Sequence, residues 1–189
     1  MKTIRAFLAV QPPPEVAQEL GRVIQHLSSQ VPEKSVRWVK PGQIHITLRF
    51  LGETAVSELE AIYQAMDAVV QCRIPIDINL KGLGFFPNAR TPRVIWAGLD
   101  GNIAELIACK RDLDLALNSL GWELEKRPFR PHFTLGRVKD ARKLRGVSMQ
   151  AEVKELAVRV TAVHFIESVL TRQGPIYTTR HTSCSQTQS

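Results

Sequence analysis

Two short stretches of the chain set an imidazole beside a hydroxyl: His45-Ile46-Thr47-Leu48 and His132-Phe133-Thr134-Leu135. Residues i and i+2 of a strand share a face. If extended, each stretch therefore holds His and Thr above an apolar underside. Two such strands side by side would line a groove with two imidazoles and two hydroxyls, a set suited to phosphoryl transfer at an internal diester. One histidine takes a proton from the attacking oxygen while the other gives one to the departing oxygen, because histidine titrates near neutral pH. The threonine hydroxyls donate to the non-bridging oxygens. The near-equivalence of the two stretches leaves open which histidine plays which part.

Strand parity extends to the arginines. Arg49 continues the face of His45 and Thr47, and Arg130 falls on the His132 side of Pro131, so both are expected phosphate ligands. Arg137 alternates onto the Phe133 face and is the poorer candidate unless the strand bulges. Trp38, Phe85 and Phe86 are expected in the core, and Phe129, in the approach to His132, is the expected base stacker. His26, His164 and His181 read as structural or solvated. Catalytic zinc needs a third ligand at close spacing, which neither tetrad supplies, so no metal or other cofactor is expected. Gly82 and Gly84 lack the third glycine and the following helix of a phosphate-cradling loop and read as a turn or bulge. No Walker-type sequence supports ATP-dependent ligation. The basic stretch Lys139 to Arg145 fits an RNA backbone or a solvated loop equally well.

The elements that must hold these residues follow from periodicity. Thr3 to Val10 is an apolar strand stopped by Pro12-Pro13-Pro14. A helix opens at Glu15, carries Val16, Leu20, Val23, Ile24 and Leu27 on one stripe, and ends before Pro32. Strands at 36–39 and 44–51 precede a helix starting near Thr54, with Val56, Leu59, Ile62, Met66 and Val69 on one side. Residues 74–80 and 93–99 read as strands, joined by a connection carrying Gly82 and Gly84, and 103–120 as a helix ended by Gly121. Further strands are expected at 133–138, as one long strand over 153–170, and around 176–179, with 182–189 a frayed tail. Hairpins interleaved with helices make the class α+β. No Pro/Gly/Ser-rich linker divides the chain, so 1–182 is expected as a single domain and 183–189 as a flexible tail.

The composition fits such a domain. With 189 residues, 44% of them hydrophobic and 23% charged, the chain buries about 70% of its surface on folding without staples. Cys72, Cys109 and Cys184 stand apart from one another, which suits a reducing compartment and argues against a disulfide framework. Charged residues interrupt every apolar run well short of the ~18 residues a membrane span needs. The start Met1 to Arg5 is charged, but the prolines follow too soon for a secretory signal. A cytoplasmic monomer is expected. The net charge of +7 favours a polyanionic partner.

A single His-x-Thr carries little information; two, each followed by Leu and matched in parity, carry much more. With the flanking residues the chain resembles the RNA 2′,3′-cyclic phosphodiesterase family of the 2H phosphoesterase superfamily, whose members were first described as 2′-5′ RNA ligases. The carrying stretches are His45 to Gly52, Pro131 to Arg137, Gly84-Phe85-Phe86-Pro87 with Arg93 to Gly98, and Glu167 to Leu170 with Gly174 to Tyr177. The resemblance implies a bilobal fold, two lobes of antiparallel sheet plus helix related by a pseudo-two-fold axis around a central cleft. It implies metal-independent hydrolysis of a terminal 2′,3′-cyclic phosphate on RNA to a 2′-phosphomonoester, with His45 as proton donor and His132 as acceptor. Thr47 and Thr134 would then bind the phosphate. Two other functions stay open: reversible 2′-5′ joining of tRNA halves by the same pair, and recognition of RNA ends without turnover.

Overall fold

Among residues 2–185, which the computed structural model describes, nine strands form two antiparallel sheets. The order along the chain is β1 (Thr3–Val10), α1 (Pro14–Ser28), β2 (Val36–Trp38), β3 (Ile46–Ala55), α2 (Leu59–Arg73), β4 (Ile76–Phe86), β5 (Val94–Gly101), α3 (Ile103–Asn118), β6 (Phe133–Val138), β7 (Leu156–Val160), β8 (Ala162–Thr171) and β9 (Gly174–Cys184). One sheet runs β3-β1-β8-β9 and the other β2-β6-β5-β4-β7. The His45 strand thus ends the first, and the His132 strand lies inside the second.

Helix α1 begins with Pro14, whose missing N–H costs nothing in a first turn. It lays Val16, Leu20, Val23, Ile24 and Leu27 against β2, β6 and β7. Helix α2 covers β8 and β9, and α3 packs on α2 while reaching β3 and β4. One contiguous apolar cluster joins the sheets, with Leu8 and Phe165 from the first and Ile78, Ile95 and Phe133 from the second. A smaller cluster, Phe7, Ala9 and Ile166 with Tyr177 against it, lies on the other face of β1.

Four expectations are corrected. Thr54 belongs to β3, and a 3₁₀ turn over Val56–Glu58 separates that strand from α2. The core stripe of α2 is then Ile62, Met66 and Val70, with Val69 beside it. Strand β4 does not stop at residue 80: a bulge between Leu80 and Leu83 carries it through Gly82, at φ +73°, and Gly84 as far as Phe86. The stretch 153–170 is two strands in different sheets, split at Thr161. Both halves bury alternate residues, so alternation could not reveal the switch. Finally, β9 runs past Thr179 to Cys184, with Thr182, Ser183 and Cys184 paired to His164, Val163 and Ala162. The rest of the expected tail, beyond Ser185, lies outside the described residues.

Candidate active site

Each histidine sits one residue before its strand, held by the same device. His45 Nδ1–H donates to Gln43 O at 2.7 Å, and His132 Nδ1–H donates to Arg130 O at 2.6 Å. A carbonyl only accepts, so Nδ1 carries the proton in both rings and Nε2 is the nitrogen offered to a substrate. Aromatic rings fix the orientation further. Phe7 stacks on His45 at 4.9 Å and Tyr177 meets it edge-on at 5.6 Å. Phe86 meets His132 edge-on at 5.2 Å, itself stacked on Trp96.

The histidines open into two adjoining chambers, about 460 Å³ around His45 and about 590 Å³ around His132. Thr47, Phe50, Thr134 and Arg137 line both, so they form the floor between the two imidazoles. The expected pairing of His45 with Thr47 and His132 with Thr134 is therefore present.

The arginines exchange places relative to expectation. Leu48 is skipped in the pairing of β3 with β1, where Leu8 faces Arg49 and Ala9 faces Thr47. The extra residue shifts the parity, so Arg49 turns inward, only 5% exposed, and lines neither chamber. Its Nη1 donates to Asp114 Oδ1 at 3.4 Å and its Nη2 to Glu123 O. Lys110 joins the group through Asp114 and through Glu125 at 2.8 Å. Arg49 is thus a buried tie between β3, α3 and the segment leading to His132, not a phosphate ligand. In β6 the same bulge skips Leu135, since Ile95 faces Gly136 and Trp96 faces Thr134. It brings Arg137 to the floor of the cleft. Arg130 lines the His132 chamber as expected.

Phe129 also lines that chamber, half-buried, with Lys110 Nζ 6.0 Å from its ring centre. Phe86, expected in the core, lines it too, whereas Trp38 and Phe85 pack on the core. His26 is exposed on α1, His164 bonds Thr182 Oγ1 at 3.0 Å, and His181 bonds Asp67 at 2.8 Å; none lines the two chambers. The Lys139 to Arg145 stretch is likewise outside them, and Asp140 there caps and pairs with Arg142.

The profile of the family described as LigT like Phosphoesterase matches residues 10–96 and 98–177, nearly the whole of this architecture and both histidine strands. The chain belongs to this family. Among curated relatives, an RNA 2′,3′-cyclic phosphodiesterase of Aeropyrum pernix is 38% identical over 148 residues, covering 76% of this chain and 83% of that one. Another protein of that name, from Methanothermobacter thermautotrophicus, is 34% identical over 181 residues, covering 93% and 95%. The crystal structure of a Thermus thermophilus protein, TT0787, superposes with a TM-score of 0.80 at 28% identity, covering 98% of this chain and all of that one.

In this LigT-like phosphoesterase burial pushes both imidazoles below the ordinary histidine range, and the positive charge of Arg137 pushes the same way; the Nδ1 hydrogen bonds to Gln43 O and Arg130 O oppose it. Both rings are therefore neutral in the free protein at neutral pH. The anion of a bound phosphodiester acts in the opposite sense, raising the proton affinity of the imidazoles beside it. Arg5, Arg37, Phe50 and Tyr177 are further cleft residues that strand parity missed. Phe50 was hidden by the bulge. Arg5 was legible in principle, since it stands two residues before Phe7 in the same strand.

Proposed function

We propose that the protein hydrolyses the terminal 2′,3′-cyclic phosphodiester of RNA, leaving a 2′-phosphomonoester and a free 3′ hydroxyl. His132 Nε2 takes a proton from water as the water oxygen bonds to phosphorus. His45 Nε2–H gives a proton to O3′ as the P–O3′ bond breaks. The substrate's own negative charge favours the protonated His45 that this step needs. Thr47 and Thr134 donate to the non-bridging oxygens, and Arg137 and Arg130 supply fixed positive charge. Phe50, 58% exposed on the cleft floor, offers a face to the terminal base, with Phe129 a second. Substrates are RNA fragments with cyclic ends, tRNA fragments among them, met by a monomer in the cytoplasm. No helix among the described residues is long and apolar enough to cross a membrane.

The observation that carries this reading is the paired imidazoles, each held through Nδ1 by the carbonyl two residues earlier, on one floor of two threonines and an arginine. The test is incubation in EDTA with an oligoribonucleotide ending in a 2′,3′-cyclic phosphate, resolving 2′- from 3′-phosphate product. Conversion to the 2′-phosphate, lost in H45A and H132A, is expected. A 3′-phosphate product, or turnover that survives either change, overturns it.

A further inference from the structure

Three arginines converge on the His45 chamber. Arg37 of β2 and Arg137 of β6 are direct cross-strand partners. Like charges in that position repel, and a sheet tolerates them at a cost unless an anion sits between them. Arg5 enters from β1 of the other sheet and lines the same chamber. Tyr177 lines the chamber as well; burial raises the pKa of its hydroxyl, and the positive charges of Arg137 and Arg5 both oppose that rise. Among the described residues no Asp or Glu lines the chamber. Glu53, opposite Arg5 in the β1–β3 pairing, accepts from Thr3 Oγ1 at 3.0 Å, and no carboxylate lies within 4.0 Å of Arg5, Arg37 or Arg137 among the described residues.

The three do not occupy equivalent positions. Arg137 lines both chambers and belongs to the reactive phosphate, whereas Arg5 and Arg37 line only the His45 chamber. In the proposed reaction O3′ leaves toward His45, so the ribose of the terminal nucleotide lies on that side. The next charged group along the strand is the phosphate on its 5′ oxygen.

We infer that Arg5 and Arg37 form a second phosphate subsite, for the internucleotide phosphate immediately 5′ of the cyclic end. The inference rests on the proposed hydrolysis and assigns that site its preference: an RNA end, or a nucleotide with a 5′-phosphate, over a bare cyclic nucleoside phosphate.

The experiment compares kcat/KM for adenosine 2′,3′-cyclic phosphate with and without a 5′-phosphate, in wild type, R5Q and R37Q. The 5′-phosphate should raise the wild-type value by about ten-fold or more, the worth of a charge-assisted hydrogen bond. In R37Q and R5Q the ratio should fall to about two-fold or less. Because it compares two substrates on one protein, a general loss of folded enzyme cancels. A wild-type ratio near one, or a ratio kept in both variants, overturns the subsite while leaving the hydrolysis intact. Inorganic phosphate inhibition that is weakened by R37Q, without any 5′-phosphate preference, would mark a site for free anions and also overturns it. Failure of wild type to turn over either nucleotide or the cyclic-ended oligoribonucleotide strikes at the hydrolysis itself.

Discussion

The strand of His45 and the strand of His132 share a backbone path and differ in what it presents. Both begin with a histidine held by the carbonyl two residues back, continue through an upward threonine, and bulge at the following leucine. After the bulge the inward residue is Arg49 in one and Gly136 in the other; the outward residue is Phe50 in one and Arg137 in the other. A symmetric frame thus holds two equivalently anchored imidazoles, and the two residues after each bulge break the symmetry. One strand presents an exposed aromatic ring to the cleft, its counterpart a cation.

The shared part is tested by H45A and H132A. Each should lower kcat by roughly a hundred- to ten-thousand-fold, and by similar factors, as expected for loss of one proton-transfer group. If one variant kept near-wild-type kcat, the two strands would not be equivalent in the chemistry. R137M probes the difference, with an expected loss in kcat/KM of roughly a hundred- to a thousand-fold. It also carries a pH signature. In wild type the histidine that must be protonated has its pKa lowered, so kcat/KM falls as pH rises through a value below the ordinary ~6.5. Removing the Arg137 charge raises both histidine pKa values and moves that alkaline limb upward. A limb that stays in place in R137M would mean that Arg137 does not act on the imidazoles.

The outward aromatic should behave differently. F50A is expected to raise KM by the equivalent of roughly 1–3 kcal/mol of binding with kcat largely kept; steady-state kinetics on a short cyclic-ended RNA reads the split. The inward residues bear on stability instead. R49M removes one cation from a buried group in which Lys110 still faces Asp114 and Glu125, so about 2 kcal/mol should be lost in denaturant unfolding, less than for a fully orphaned charge. G136A should cost about 1–2 kcal/mol, because a Cβ there would meet the Trp38 and Val36 side chains at 2.8 Å. A neutral G136A would show that β2 yields more easily than its packing suggests.

The histidines and threonines were legible in the sequence because a strand's two-residue period places them before any irregularity intervenes. Arg49 and Arg137 were not. One extra residue reverses everything beyond it, and nothing in Leu48-Arg49-Phe50 or Leu135-Gly136-Arg137 marks the reversal locally. Helix α1, whose stripe of Val16 to Leu27 is bounded by prolines, begins one residue before the expected Glu15 and ends at Ser28, ahead of Pro32. The passage at Thr161 was invisible for the opposite reason: two well-patterned strands abut with no breaking residue between them. The convergence of Arg5, Arg37 and Arg137 depends on which strands become neighbours, and three single arginines spread over more than a hundred residues do not declare that.

Thr161 also ties the two sheets together. With Val160 ending a strand of one sheet and Ala162 beginning a strand of the other, a single residue joins them, and it reaches no more than about 3.5 Å when fully stretched. The junction borders a third cavity, beside the prolines that follow β1, which shares no residue with the catalytic chambers. The sheets are therefore riveted at a point away from the chemistry. They cannot slide apart there, and the apolar cluster that both sheets share ties them a second time.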